Sequence, residues 1–158
     1  MDVQLSESLK QFLREPLMII LGTASTDLRP AIARGMGVYE AQQEGHLEIV
    51  FSSWQWPETA PNIRETGRLA MTVVSPSKYT SYQIKGKAWV SAPKPAEIER
   101  SNDYIRTMEA ELRGLGVPPN LTGPWLTNCE PLLATLNVSE IYVQTPGPNA
   151  GMLDGPRR

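Results

Sequence analysis

The sequence of 158 residues predicts a mainly β fold: a six-stranded antiparallel barrel, closed or split, with one long inserted helix and short flanking helices. Six short segments are rich in aliphatic and β-branched residues and are bounded by turn-forming residues, which is typical of strands. A single long segment has the apolar stripe of an amphipathic helix. Mostly antiparallel strands with one helical connection favour a barrel.

The first third of the chain contains a helix and two strands. Residues 3–13 place apolar side chains at roughly helical spacing, and the pattern stops at a proline, which predicts a short amphipathic helix. Residues 17–24 form an apolar run typical of a buried strand, and residues 30–39 form a second strand. Gly35 and Gly37 interrupt this strand, and glycine inside a strand indicates a bulge or a close backbone approach.

The middle of the chain adds three strands and a short helix. Residues 46–51 alternate like a half-buried strand, and His46 at its start is expected to be solvated. Residues 54–67 predict a loop that enters a short helix ended by glycine. Residues 69–74 form a buried strand, and residues 79–91 form the longest one. Its inward face is expected to contain Tyr82, Ile84, Gly86, Ala88 and Val90, and its outward face Ser81, Gln83, Lys85, Lys87 and Trp89.

The last third contains the long helix, the final strand and a tail. Residues 95–115 keep one apolar stripe with charged residues around it, and glycines and prolines follow. Residues 132–144 alternate as the last strand. The predicted domain therefore spans residues 1–144, and residues 145–158 form a flexible C-terminal tail because their composition cannot build a core.

The composition excludes several classes of protein. A formal net charge of −2 and a pI of about 5.5 argue against a nucleic-acid-binding protein, which would usually have a basic face. Cys129 is the only cysteine, so no intramolecular disulfide forms. The N-terminal segment lacks a long apolar run, so we expect no signal peptide and no membrane span, and a cytoplasmic protein. The sequence contains no nucleophilic triad, no metal-ligand cluster and no phosphate loop.

The stretch from residue 61 to 92, PNIRETGRLAMTVVSPSKYTSYQIKGKAWVSA, carries a family resemblance. Asn62 and Ile63 precede a buried strand, and Gly86, Lys87 and Ala88 lie inside the long strand that follows. This order resembles that of the FMN-binding split β-barrels related to pyridoxamine 5′-phosphate oxidase. The resemblance covers roughly residues 17–143. It implies a homodimer that binds FMN in two clefts at the subunit interface.

The resemblance also implies which residues contact the phosphate of FMN. These are Ser52 and Ser53 at the end of the third strand, Thr59 in the loop that follows, Asn62 on the next helix, and Arg34 on the second strand. The family commonly has a basic residue, often Arg-Lys or Lys, where this chain has Glu58 and Thr59. A phosphate is usually held by charge-assisted bonds from Arg or Lys, whereas threonine donates only a neutral hydrogen bond.

The isoalloxazine ring is expected against the backbone of the second strand. The residues concerned are Gly35, Met36, Gly37 and Val38, and Gln83 on the long strand is expected to hydrogen-bond the ring or the ribityl chain. No residue is predicted to be an essential catalytic acid or base, which suits a reaction carried by the flavin itself.

Each candidate also has an ordinary structural interpretation. Arg34 could form a salt bridge, the two serines could form a turn, Asn62 could brace its helix, and Gln83 could be a polar surface residue. Trp54 and Trp56 either wall a flat ring or anchor a dimer interface.

Three functions therefore remain open. The leading hypothesis is an FMN-dependent oxidoreductase acting on an unidentified small molecule. The alternative is a non-catalytic flavin or small-ligand binding module of the same fold. A relative that uses a deazaflavin or haem ranks third, and haem ranks last because His46 is the only histidine. Oxidation of pyridoxamine phosphate is not favoured, since the C-terminal tail offers only Arg157 and Arg158 for a second phosphate.

Overall fold

The computed structural model describes residues 3–154, and its six strands close into one antiparallel barrel. The strand order around the barrel is β1-β2-β3-β6-β5-β4, and β4 pairs back with β1. The strands are β1 (Met18–Ala24), β2 (Pro30–Glu40), β3 (His46–Ser52), β4 (Arg68–Val74), β5 (Ser81–Ser91) and β6 (Pro131–Val143). The helices are α1 (Glu7–Phe12), α2 (Thr59–Thr66), α3 (Pro95–Gly114) and α4 (Pro119–Thr122). The predicted fold class is confirmed.

The interior of the barrel follows from the period-two alternation of the strands. In β1, for example, Ile19 and Leu21 are fully buried, whereas Ile20 between them is partly exposed. The same alternation in the other strands produces one continuous apolar core inside the barrel.

Short helices cover the two ends of the barrel. Leu9 and Phe12 of α1 belong to the barrel core, and the Phe12 ring meets the Tyr82 ring edge-on at 5.3 Å. At the opposite end, Ile63 of α2 is buried in the same core, and Asn62 of α2 contacts the end of β1. Both apolar helix faces therefore extend the core beyond the strands.

The long helix α3 packs on the outside of β2 and β3. Arg100 pairs with Glu48 of β3 at 3.1 Å, and the hydroxyl of Tyr39 in β2 donates to the carbonyl of Arg100 at 2.6 Å. A second buried apolar cluster lies beneath the helix and consists of Met36, Met108, Leu112 and Leu126. Because α3 covers β2 and β3, the outer face of β1, β4 and β5 is left partly exposed.

Two local expectations are wrong. The long strand begins at Ser81 rather than at Tyr79, because Tyr79 has a φ of 60° and belongs to the turn between β4 and β5. His46 is only 4% exposed, its Nδ1 lies 2.9 Å from the carbonyl of Glu44, and its ring lies 5.7 Å from that of Trp89. The histidine is therefore a packed residue and not a solvated one.

The segment that follows β6 turns back along it. Gly151 donates its N–H to the carbonyl of Val143 at 2.7 Å, Val143 donates to Met152 at 2.8 Å, and Asp154 donates to Ile141 at 2.8 Å. The domain boundary at residue 144 and the flexibility of the tail stay predictions, and Arg157 and Arg158 lie outside the described residues. None of the helices in residues 3–154 combines the length and apolar character needed to cross a membrane.

Candidate ligand-binding site

Arg34 and Gln83 lie in one lateral row on the outside of the barrel. Arg34 of β2 is opposite Ile20 of β1, Ile20 is opposite Thr72 of β4, and Thr72 is opposite Gln83 of β5. Three strand spacings separate the two ends of the row, a distance of about 14 Å. We call the outer surface of β1, β4 and β5 that lies between them the open sheet face.

Arg34 is a partly buried cation without an acidic partner among the described residues. Its guanidinium stacks on the ring of Trp125 with 4.1 Å between Cζ and the ring centroid. Among residues 3–154 no carboxylate lies within salt-bridge distance of it. Burial raises the pKa of the nearby Tyr104 hydroxyl well above its usual range, and the positive charge of Arg34 partly opposes that rise. Such a cation is suited to an anionic ligand.

The three residues after Arg34 explain the glycines of β2. A Cβ on Gly35 would lie 2.5 Å from Ile19 Cγ2, inside the barrel, so no larger residue fits there. Met36 is buried under α3, and Gly37 has a φ of 114° within a register shift. Interior packing and a bulge therefore account for both glycines. Contact between this backbone and an isoalloxazine ring stays a prediction.

The two serines predicted at the phosphate form internal hydrogen bonds. Ser52 is fully buried and donates from Oγ to the carbonyl of Cys129 at 2.6 Å. Ser53 donates from Oγ to the carbonyl of Glu130 at 2.8 Å. These bonds tie the end of β3 to the segment just before β6. A phosphate contact would require each hydroxyl to exchange its protein acceptor for the ligand.

Thr59 and Asn62 lie on α2 and face the barrel. Thr59 is 1% exposed, and Asn62 donates from Nδ2 to Thr23 Oγ1 at 3.0 Å. Glu58 is the exposed N-cap residue of α2 and provides no side-chain cap. The loop and helix that the resemblance assigns to the phosphate therefore present no basic side chain between residues 52 and 62.

The Asn62–Thr23 bond gives a stability prediction. Asn62→Ala should destabilise the fold by about 1–3 kcal/mol, because it leaves a buried hydroxyl without its partner. Thermal unfolding of Asn62→Ala, Thr23→Val and the double variant measures the coupling between the two side chains. Strictly additive losses would contradict a direct bond.

Two polar atoms in the loop between β3 and α2 are buried without a hydrogen-bond partner in the part of the chain that the structure describes. They are Gln55 Oε1 and Trp56 Nε1, an acceptor and a donor on neighbouring residues. Gln55 Nε2 donates to the carbonyl of Pro124 at 2.9 Å, which fixes the side chain against the segment that leads to Trp125. The exposed Trp54 lies beside them. No pattern in the sequence distinguishes Gln55 from other loop residues.

A cavity of about 490 Å³ lies between α1, the start of β1, the end of β2 and the first half of α3. Its apolar wall includes Leu17, Ile19 and Val38, and its polar wall includes Tyr39 and Tyr104. The sequence gives no signal for it, because its lining residues come from four elements that are distant in the chain. Of the residues predicted at the flavin ring, only Val38 contributes to it.

The Tyr39 hydroxyl gives a prediction for alkaline pH. Burial raises the pKa of Tyr39 to about 12, Arg100 opposes the rise, and Asp103 adds to it. In the unfolded chain the pKa of tyrosine is about 10. The contribution of the neutral Tyr39 hydroxyl to the free energy of unfolding is therefore fully present below pH 10 and is lost between about pH 10 and 12. Unfolding measured across this window should show a smaller loss of stability for Tyr39→Phe than for the parent protein. Equal losses would contradict a buried phenol.

Two places are expected to hold the phosphate of FMN. Arg34 has no carboxylate partner among the described residues and its guanidinium stacks on Trp125, so it fits an anionic phosphate. The Ser52–Ser53 turn would hold it only if both hydroxyls exchanged their main-chain acceptors for the ligand, and contact there stays a prediction. Residues 3–154 contain no group of three or more His, Cys, Asp or Glu placed to hold a metal ion.

Comparisons with known proteins agree on the fold. No family model and no curated protein matches the sequence. HupZ from Group A Streptococcus is 14% identical, with 94% of this chain and 100% of HupZ covered and a TM-score of 0.57. An F420 reductase is 18% identical, with 87% and 98% covered and a TM-score of 0.57. A candidate pyridoxamine 5′-phosphate oxidase from Lactobacillus delbrueckii is 14% identical, with 88% and 93% covered and a TM-score of 0.54.

At such low sequence identity, these structural similarities establish the fold and not the activity. They confirm the resemblance that the motifs of residues 61–92 predict. The chain has the split-barrel fold of the pyridoxamine 5′-phosphate oxidase-like proteins.

Proposed function

We propose that this chain is a cytoplasmic FMN-binding oxidoreductase, similar to the pyridoxamine 5′-phosphate oxidases, that acts on a small molecule and holds its cofactor at a homodimer interface. The observation that carries the proposal is Arg34, a partly buried guanidinium with an aromatic support and no described carboxylate partner. Leaving such a cation half-desolvated is costly without a compensating anion. The phosphate of FMN supplies one.

The open sheet face is the proposed contact between the two protomers. Its outward residues on β1 and β4 are mostly small or apolar, those on β5 include Gln83 and Lys85, and Ile32 at its margin is 67% exposed. Ile20, Gly22, Ala70 and Val74 continue the surface across β1 and β4. A second copy packed on this face would bury the apolar surface and leave a cleft beside Arg34 and Trp125.

In that cleft the flavin would supply hydride or electron transfer. Arg34 binds the phosphate, and Trp125 keeps the guanidinium plane oriented through the stacking contact. Gln83, at the other end of the row, offers both a donor and an acceptor to the ring or ribityl chain. The partner copy excludes water from the cleft.

The test is the visible absorption spectrum of the purified protein after incubation with FMN and gel filtration. A flavin spectrum that travels with a peak at twice the protomer mass of 17.5 kDa is expected. A colourless peak, or a flavin bound to a monomer, would overturn the proposal.

A non-catalytic flavin or small-ligand binding module is the second candidate. It is favoured by the internal hydrogen bonds of Ser52, Ser53 and Asn62, which leave Arg34 as the main anchor for the phosphate. Weak cofactor binding suits a carrier better than an enzyme. Oxidation of NADPH by the flavin-loaded dimer, above the rate of free FMN, separates the two. No acceleration would favour the binding module.

A further inference from the structure

The cavity between α1 and α3 is bounded by a side of β2 that has no neighbouring strand. The ladder between β1 and β2 ends at the pair Ile19–Gly35, whereas β2 continues to Glu40 with only β3 beside it. Residues 38–40 line the cavity along that unpaired edge. Backbone donors and acceptors on this edge are therefore available to a ligand.

The charges around the cavity balance and are already paired. Its lining contains three cations and three carboxylates, which sum to zero. Arg14 pairs with Glu40 at 3.2 Å, and Arg100 pairs with Glu48 at 3.1 Å. The other charged residues of the lining pair as Lys10 with Glu40, Glu15 with Lys78, and Asp103 with Arg106. A charged ligand would meet no net countercharge in this lining, only cations and carboxylates that already have partners, so the cavity favours an uncharged one.

Two phenol groups form the polar part of the wall. Tyr39 donates to the carbonyl of Arg100 at 2.6 Å, and Tyr104 donates to the carbonyl of Leu17 at 2.7 Å. Burial raises the pKa of both groups, so both stay neutral near pH 7. Since both hydroxyl protons are donated to main-chain carbonyls, each phenol oxygen can only accept a hydrogen bond from a ligand. A ligand that fits must therefore bring a donor.

We propose that this cavity binds an uncharged, mainly apolar small molecule that carries a hydroxyl or N–H donor. The apolar wall formed by Leu17, Ile19 and Val38 takes the body of the molecule, and the phenol oxygens of Tyr39 and Tyr104 accept from its donor. A volume of about 490 Å³ is within the range of small-molecule sites.

The cavity is close to the anion site, because Tyr104, which lines the cavity, and Trp125, which stacks on Arg34, pack against the same apolar cluster beneath α3. The assignment of the ligand as the substrate rests on the proposed function. The binding of an uncharged molecule to the cavity does not depend on the proposed function, because it can be measured in protein without flavin.

The experiment compares two dyes that share one ring system. N-phenylnaphthylamine is uncharged, apolar and carries a single N–H, and anilinonaphthalene sulfonate differs by an anionic group. Fluorescence titration should show saturable binding of one N-phenylnaphthylamine per protomer, with the sulfonate at least about tenfold weaker. Equal affinities, or tighter binding of the sulfonate, would overturn the assignment of an uncharged ligand.

Two variants of α3 locate the dye. Thr107 is exposed and lines the cavity, so Thr107→Trp should fill the entrance and weaken dye binding at least about tenfold. Arg113 is exposed on the same helix outside the cavity, and Arg113→Trp should bind the dye like the parent. Unchanged binding in Thr107→Trp, with an unchanged thermal midpoint, would overturn the site. Displacement of the dye by FMN would also overturn it, whereas failure of FMN to bind would leave this result intact.

Discussion

Gly86→Ala is expected to destabilise the barrel by about 3 kcal/mol, near the upper end of the usual cost of overpacking. An alanine Cβ at this position would lie 1.8 Å from the carbonyl oxygen of Asn137 on β6. The obstacle is main chain, so no side-chain rotation relieves it. It also lies at the register shift between Lys85 and Gly86 in the ladder of β5 and β6. Thermal unfolding should show a midpoint lowered by roughly 6–12 °C for a domain of this size.

Gly114→Ala is the matched control. Gly114 is the last residue of α3, and an added Cβ would meet nothing within 4 Å. Alanine favours helix more than glycine does, so the control should be neutral or slightly stabilising. A Gly86→Ala protein as stable as the control would show that β5 and β6 are not in close contact.

Arg34→Ala is expected to weaken FMN binding about 10- to 100-fold, since a hydrogen bond to a charged group contributes about 1.5–3 kcal/mol. Arg34→Lys should recover part of the affinity, because lysine keeps the charge but not the planar, bidentate geometry that stacks on Trp125. Quenching of flavin fluorescence measures both. Riboflavin, which lacks the phosphate, should bind the variants and the parent alike.

Ser53→Ala is the control for the turn. Its hydroxyl donates to the carbonyl of Glu130, so its removal should leave FMN affinity within about twofold while lowering stability by about 1 kcal/mol. If Ser53→Ala weakens FMN binding more than Arg34→Ala does, the phosphate lies at the turn and the anchor proposed here is wrong.

Much of the barrel could be predicted because its strands alternate. Residues such as Ile19 and Leu21 indicate their own burial through a period of two, and the single apolar stripe of α3 indicates the one long helix. The start of β5 was less predictable. Tyr79 has the aromatic character of a strand residue, and only the turn geometry places it at a φ of 60°. Helix α4 was not predicted, because it is only four residues long, begins with a proline and is flanked by Pro118 and Gly123, which resembles a loop.

The site depends on contacts between residues distant in sequence, which a single sequence does not encode. His46 follows a turn and resembles a surface residue, yet Trp89 packs against it across the sheet. The resemblance identifies Arg34, but it does not predict that Trp125, in the segment after α4, stacks on the Arg34 guanidinium. The cavity is still less visible, since its walls come from α1, β2 and α3.

The most direct test of the proposed cofactor site is the affinity of the unmodified protein for FMN compared with riboflavin at low salt. Arg34 as the phosphate anchor predicts one FMN per protomer and at least about a tenfold preference for FMN, because only FMN carries the anion. Equal affinity for the two flavins, or binding of neither, would contradict the claim that Arg34 holds the phosphate of FMN.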